Sequence, residues 1–383
     1  MTPLRILHVF RAPLGGLYRH VLDVARGQTE RGHAVGIFCD ATTGGTRADD
    51  TLEALRPHME LGVTRIPMRR LPHPMDAAAV ATLTSLYRRV RPNVLHGHGS
   101  KGGAYARLVT WPPLDRATIR AYTPHGGSFN YNPGTLSHRI YMTAEAALTP
   151  RTDVFLFESG YVRSRYEAFV SATPRLVKVV RNGIAEHEYL PIERQADPFD
   201  LVYIGEFRIA KGVDTLIDAL AIIRKSHDRR LTLLAVGSGP SETELKARAQ
   251  AAGVWDSIAF VPPQPIRGAL ARGRVMVVPS KAESLPYVIL EAAAAAQPLV
   301  STNVGGIGEI FGPYSDELIS PDDPSILAAK ILETLDRPEE VRQAKAQALS
   351  RHVHGGFRID TMVDGILDGY AEARRNRGLP DRP

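Results

Sequence analysis

Twice along the chain, short apolar runs alternate with amphipathic stretches, and the alternation restarts after a segment that has no periodicity. Ile6–Phe10 reads as a strand, Leu14-Gly15-Gly16 as a turn, Tyr18–Arg31 as a helix closed by Gly32-His33, and Ala34–Cys39 as the next strand. Strand, glycine turn, helix and strand make a βαβ unit, whose recurrence specifies a parallel sheet covered by helices. Val94–His96, a helix from Gly102, Thr118–Tyr122 and Val154–Phe157 continue the series. Asn182–Pro198 is rich in Gly, Glu and Pro and reads as a linker. The pattern then resumes with Leu201–Ile204, a helix over Gly212–Arg224, Leu231–Val236, a helix over Glu242–Ala252, Ile258–Val261, Val275–Val278, an Ala-rich helix over Tyr287–Ala296, and Leu299–Thr302. Two α/β domains are therefore expected, over residues 1–185 and 199–356. A last helix within 357–376 carries Met362, Val363, Ile366, Leu367 and Tyr370 at helical spacing and is expected to pack back on the first domain. The tail from Asn376 onward reads as frayed.

A chain of 383 residues suits two such domains. Its 44% hydrophobic and 23% charged residues are ordinary for a soluble protein and exclude disorder. No apolar run is long enough to span a membrane. The first ten residues are broken by Arg5 and His8, and they read as a strand rather than a signal peptide. Cys39 is the sole cysteine, which excludes intramolecular disulfides and multi-cysteine zinc sites and fits a cytoplasmic location. Charge is unevenly spread. The first 190 residues carry 24 Lys and Arg against 15 Asp and Glu, a net of +9, and the remainder carries −3. A basic half suits an anionic partner: nucleic acid, a phosphorylated substrate or an acidic membrane surface.

The motifs narrow the chemistry. The chain has no G-x-x-x-x-G-K-[ST], no G-x-S-x-G and no H-E-x-x-H. Asp-x-Asp is also missing, so a diphosphate would have to be neutralised by Arg, Lys and helix N-termini. Arg208 and Lys211 lie in the glycine-flanked segment Gly205–Gly212, between a strand and a helix. In α/β sheets that is where ligands bind. Glu283 follows a strand, and Glu291 comes eight residues later inside an apolar helix. A carboxylate there is expensive to bury without partners, and ligand hydroxyls are suitable ones. In the first half, three glycine-flanked loops should gather at one sheet edge: Gly15-Gly16, His96 to Lys101, and Thr123 to Gly127. His125 can donate to a substrate hydroxyl or carry a proton, whereas a structural role suits His96 better. Gly237-x-Gly239 begins a dinucleotide fingerprint, but Glu242 occupies the third glycine position.

In order and spacing these elements resemble glycosyltransferase family 4, over nearly the whole chain. The resemblance rests on Glu283-x7-Glu291 between Val277–Ser280 and Pro298–Thr302, with Gly305-Gly306-x-x-Glu309 after it. Gly205-x5-Lys211-Gly212 and Gly237-x-Gly239-Pro240 match as well. Gly15-Gly16, His96-x-His98-x-Ser100-Lys101 and Thr123-Pro124-His125-Gly126 look like members that build bacterial surface polysaccharides. The resemblance implies a GT-B fold, with two Rossmann-like domains facing each other across a cleft. It implies a retaining, metal-independent transfer of a sugar from a nucleotide-diphosphate sugar, with no cofactor. Glu291 would bind the ribose, Glu283 would orient the donor sugar, and Arg208 and Lys211 would hold the diphosphate. Ser284, Leu285 and Pro286 would line the donor sugar, where many relatives have Gly-Phe-Gly; Pro286 lacks the N–H that the usual loop offers. Gly16 would admit the phosphate or acceptor, His125 would touch the donor sugar, and Glu309 would fix its loop or touch the nucleotide.

The basic half would take the acceptor, a glycan or a polyprenyl-diphosphate-linked one. His98, Ser100, Lys101, Arg69 and Arg70 are the candidate contacts to it or to an anionic membrane on the inner face of the cytoplasmic membrane. A sugar-nucleotide epimerase or hydrolase of the same fold is the alternative, and an NAD-linked dehydrogenase a more distant one. Nucleic acid is not expected as a partner, since no recognised basic helix or aromatic RNA-binding pattern is present.

Overall fold

A computed structural model describes residues 3–109 and 117–380. It divides into two compact units, with boundaries at Gly183/Ile184 and Arg358/Ile359. The first unit therefore contains the last helix, and the second begins at Ile184, within the expected 1–185 of the first domain, and includes residues 186–198, expected between domains.

The first unit is built on seven parallel strands. These are β1 (Arg5–Val9), β2 (Ala34–Asp40), β3 (Gly62–Ile66), β4 (Val94–His98), β5 (Ile119–Thr123), β6 (Val154–Phe157) and β7 (Val177–Val179), in the spatial order β3-β2-β1-β4-β5-β6-β7. β2, β4 and β6 are buried along their whole length, as expected for strands covered on both faces. The terminal helix, Ile359–Asn376, lays Met362, Val363, Ile366, Leu367 and Tyr370 against Ile6, Val94, Ile119 and Leu156. Each such side chain contributes about 1.5–3 kcal/mol when fully buried. The tail does not fray directly after this helix. Arg377 donates from Nη1 to the Thr118 carbonyl at 2.8 Å, and Arg374 donates to the Pro380 carbonyl at 2.7 Å.

A buried ion pair sits beneath helix Gly99–Leu108. Arg107 is fully buried and donates from Nη1 to Glu145 Oε2 at 2.9 Å. Its guanidinium lies 3.9 Å from the centre of the Tyr122 ring, and the Tyr122 hydroxyl donates to the other Glu145 oxygen at 2.8 Å. Removing one partner strands a desolvated charge, whereas replacing both by apolar groups does not. Glu145→Ala is expected to destabilise the first unit by about 3–5 kcal/mol. Arg107→Met combined with Glu145→Leu should cost clearly less in urea unfolding. A double variant as unstable as the sum of its single changes would contradict this.

The second unit has five parallel strands: β8 (Phe199–Ile204), β9 (Leu233–Val236), β10 (Ile258–Val261), β11 (Gly273–Val278) and β12 (Leu299–Ser301), ordered β10-β9-β8-β11-β12. Its two ends are tied together, with the Ile184 amide donating to the Phe357 carbonyl at 2.7 Å. Helix Tyr287–Ala294 buries Ile289, Leu290 and its alanines against β8 and β11 residues Val202, Met276 and Val278. No helix among the described residues is long and apolar enough to cross a membrane.

Candidate active site

Strand order reverses between β8 and β11 in the second unit and between β1 and β4 in the first. At such a point the flanking connections leave in opposite directions and open a crevice at the carboxyl ends of the strands. Gly16, Arg208, Lys211, Glu283 and Glu291 lie on the segments that follow these strands, whereas His125 follows β5 and Glu309 follows β12.

After β8 the chain runs from Gly205 to a short 3₁₀ turn, Ile209–Lys211. After β11 it runs from Pro279 to helix Tyr287–Ala294. The two segments are joined. The Lys281 amide donates to the Ala210 carbonyl at 2.9 Å, and Lys211 Nζ donates to Glu283 Oε1 at 2.6 Å. Ser280 Oγ donates to the same carboxylate oxygen at 2.8 Å. The Glu283 side chain is 8% exposed and Lys211 is 28% exposed, so the carboxylate is shielded and the ammonium stays reachable. Two glycines permit this closeness. Gly212, at φ +67°, would place a Cβ 1.9 Å from the Pro279 carbonyl oxygen, and Gly305, at φ +61°, one 2.0 Å from that of Glu283. Only glycine meets both the positive φ and the contact. The Gly306 amide then donates to the Ser284 carbonyl at 2.6 Å, which seats the segment after β12 on the Glu283 loop.

Not every candidate joins this group. Arg208 pairs through Nε with Glu206 at 3.0 Å and is 41% exposed, so its charge remains open to solvent. Leu285 and Pro286 are buried, and the Leu285 side chain belongs to the apolar core. Pro286 directly precedes the helix that carries Glu291, itself half-buried. Glu309 lies, half-buried, in the short helix Ile307–Phe311.

In the first unit, five imidazoles meet: His8 on β1, His96 and His98 on β4, His20 on helix Gly15–Glu30, and His125 after β5. The sheet register puts His8 directly beside His96. His8 Nδ1 lies 2.9 Å from His98 Nε2, and His98 Nδ1 lies 3.1 Å from His125 Nε2. His125 has φ +54°, uncommon for a side chain, and its amide is held by Glu158 Oε2 at 3.1 Å. Among the described residues, His8, His96 and His98 form one triad spaced to hold a metal ion, and His20, His98 and His125 form another.

His98, Ser100 and Lys101 do not lie on the expected loop. β4 continues through His98, whose register partner is Thr123, and Gly99 at φ +64° turns the chain straight into a helix that contains Ser100 and Lys101. His98 is buried and presents no surface to a membrane. Lys101 is spent on the protein itself, donating to the Arg69 and Leu71 carbonyls at 2.6 and 2.9 Å and to Asp76 at 2.8 Å. Ser100 Oγ accepts from the Ser128 amide at 3.0 Å. Gly16 sits in the first turn of helix Gly15–Glu30 rather than on a loop, and it is exposed. Arg69 and Arg70 are both exposed.

Burial keeps the histidines neutral. The pKa values of His8 and His20 fall from 6.5 to about 4, chiefly by desolvation, and those of His96, His98 and His125 lie well below the usual range for the same reason. The unfolded chain therefore takes up protons first as pH drops below 6.5. Stability from His8 and His20 is complete above that pH and is lost between it and about 4, at about 1.4 kcal/mol per pH unit for each, and the three other histidines act in the same direction. Denaturant midpoints measured from pH 8 to pH 5 should fall with a slope of more than one proton. A flat profile would contradict neutral burial.

The architecture of two parallel-sheet α/β units is the GT-B fold. HepE of Anabaena in complex with UDP-glucose superposes with a TM-score of 0.79 at 18% identity, covering 96% of this chain and all of that one. Sucrose-phosphate synthase of Thermosynechococcus elongatus gives 0.78 at 17% identity, over 97% of this chain and all of that one. The Glycosyltransferase Family 4 model matches residues 14–188, and the model of Glycosyl transferases group 1 matches residues 190–351. The chain is 27% identical to glycogen synthase of Mycobacterium tuberculosis, over 96% of this chain and 93% of that protein. It is also 27% identical to D-inositol 3-phosphate glycosyltransferase of Acidothermus cellulolyticus, over 95% and 87%. With each unit matching a glycosyltransferase model, the chain is a GT-B glycosyltransferase.

The sequence reading missed that His8, His20 and His96 join His98 and His125. His8 on β1 and His96 and His98 on β4 were the available signal, since those strands are neighbours where the order reverses.

Proposed function

We propose that the chain is a retaining, metal-independent glycosyltransferase that moves a sugar from a nucleoside-diphosphate sugar to a glycan or lipid-diphosphate-linked acceptor in surface-polysaccharide assembly. The observation that carries the reading is the Lys211–Glu283 pair at the strand-order reversal of the second unit, at 2.6 Å. Breaking the glycosyl–phosphate bond builds negative charge on the diphosphate and positive charge on the sugar. Lys211, together with Arg208, stabilises the first of these, and such preorganised charge is worth the most where it meets charge that develops during reaction. Glu283 faces the sugar and holds Lys211. Glu291 takes the ribose hydroxyls, while Ser284 and the backbone around Leu285 and Pro286 border the donor sugar. Glu309 steadies the neighbouring loop. His125 touches a sugar hydroxyl, and its neutral ring suits a hydrogen bond better than acid catalysis. The HepE structure with UDP-glucose makes a uridine nucleotide the first donor to try.

The first unit takes the acceptor, with Gly16 at an exposed helix start and Arg69 and Arg70 as exposed cations. The same cations suit an anionic membrane face. Flotation with anionic vesicles at low salt should exceed that with neutral ones; equal flotation removes the membrane part. The reaction itself is tested by following slow hydrolysis of an α-linked sugar nucleotide by proton NMR in excess chelator. Retention predicts that the α-sugar is released first. Release of the β-sugar, or loss of turnover on chelation that added metal restores, would overturn the reading.

A further inference from the structure

The proposed transfer uses only one of the five clustered imidazoles, and the hydrogen bonds of His8 and His20 fix where the lone pairs of His98 and His20 lie. The carbonyl oxygens of Gln28 and Asn182 can only accept, so they fix where the ring protons sit. His8 Nε2 donates to Gln28 Oε1 at 2.8 Å, which leaves His8 Nδ1 to accept from His98 Nε2 at 2.9 Å. His98 is then left with a lone pair on Nδ1. His20 Nδ1 donates to Asn182 Oδ1 at 3.0 Å, which leaves the lone pair on Nε2. That nitrogen is buried and has no hydrogen-bond partner among the described residues. His125 Nε2 lies 3.1 Å from His98 Nδ1, and one nitrogen from each of His20, His98 and His125 lies within 4.8 Å of the others. Metal–nitrogen bonds of about 2.0–2.1 Å in tetrahedral geometry separate ligand nitrogens by about 3.4 Å.

We propose that His20, His98 and His125 form a site for a divalent transition metal of the zinc class. Asn182 and the His8–Gln28 pair are its outer supports, since each fixes a ligand's tautomer through its remote nitrogen. The other triad is a poorer site. Both nitrogens of His96 are engaged, by the Tyr370 hydroxyl at 2.6 Å and by Thr123 Oγ1 at 2.9 Å. On metal binding the His125 proton passes from Nε2 to Nδ1, with no net proton released, and Nδ1 turns from acceptor to donor. The site takes His125, which the proposed function sets against a sugar hydroxyl, so the two claims meet at that residue; metal retention is read without turnover, and losing the site would leave the roles of Lys211 and Arg208 untouched.

The test uses the tag-free full chain, stripped with chelator and titrated with Zn²⁺, and with Co²⁺ as a visible probe. One Zn²⁺ per chain should survive desalting, and Co²⁺ should give the intense visible bands of a tetrahedral site, lost on adding one equivalent of Zn²⁺. His20→Ala and His98→Ala should weaken binding at least about a hundredfold, and Asn182→Ala about ten- to a hundredfold. His58→Ala, which removes an exposed histidine outside the cluster, should change nothing. Wild type that retains no stoichiometric metal overturns the proposal by itself, whether or not the variants fold. So does unchanged affinity in folded His20→Ala and His98→Ala.

Discussion

Lys211→Ala is expected to lower kcat about a hundred- to a thousandfold, the range seen when one preorganised group facing transition-state charge is removed. Two effects act in the same direction. The leaving diphosphate loses a cation that is 28% exposed and therefore reachable. Glu283 also loses its 2.6 Å partner, leaving a shielded carboxylate with the Ser280 hydroxyl as its donor, close to an anionic ligand. Because the charge is needed most as the bond breaks, kcat should fall more than KM rises. Lys211→Arg should recover part of the loss, since it keeps the charge but not the compact geometry. Steady-state kinetics with a sugar nucleotide checks this. A Lys211→Ala enzyme that loses only KM would show that Lys211 binds donor and transition state alike.

Glu291→Ala is expected to weaken sugar-nucleotide binding at least about a hundredfold, since hydrogen bonds to a charged group contribute about 1.5–3 kcal/mol each and the ribose offers two hydroxyls. Glu291→Gln keeps one acceptor oxygen and should lose about tenfold, the worth of one such bond. The fold should tolerate both changes. Glu291 lies near the middle of a helix that already contains Ala292, Ala293 and Ala294, and both replacements favour helix. Calorimetric titration with the donor reads the effect, with thermal unfolding as the control. Equal affinity in wild type and Glu291→Ala would remove Glu291 from the donor site.

The strands were legible where they read as unbroken apolar runs. Val154–Phe157, buried throughout, and Ile258–Val261, a largely half-buried edge strand, both have the expected bounds. β3 carries no such run, because Gly62, Thr64 and Arg65 interrupt Gly-Val-Thr-Arg-Ile. The start of the helix after β4 was misplaced by three residues. His98 and Gly99 are poor strand and helix formers by type, and the register of β4 on β5 overrides that preference. The Glu283 loop was legible as a motif, but its pairing with Lys211 depends on which strands are neighbours, a property of sheet order that local pattern does not encode. The histidine cluster was hidden for the same reason. Its members are spread from residue 8 to residue 125 and meet only where β1 lies beside β4.

The most direct test of the donor site is a thermal-shift measurement on the full chain with UDP-, GDP- and ADP-sugars and NAD, in chelator, for wild type and Glu291→Ala. A ligand that binds only the folded state at a hundred times its Kd stabilises by about 2.7 kcal/mol. The account predicts that at least one sugar nucleotide raises the melting temperature of wild type and leaves Glu291→Ala unmoved. Stabilisation by NAD alone, or an equal shift in both proteins, would contradict it.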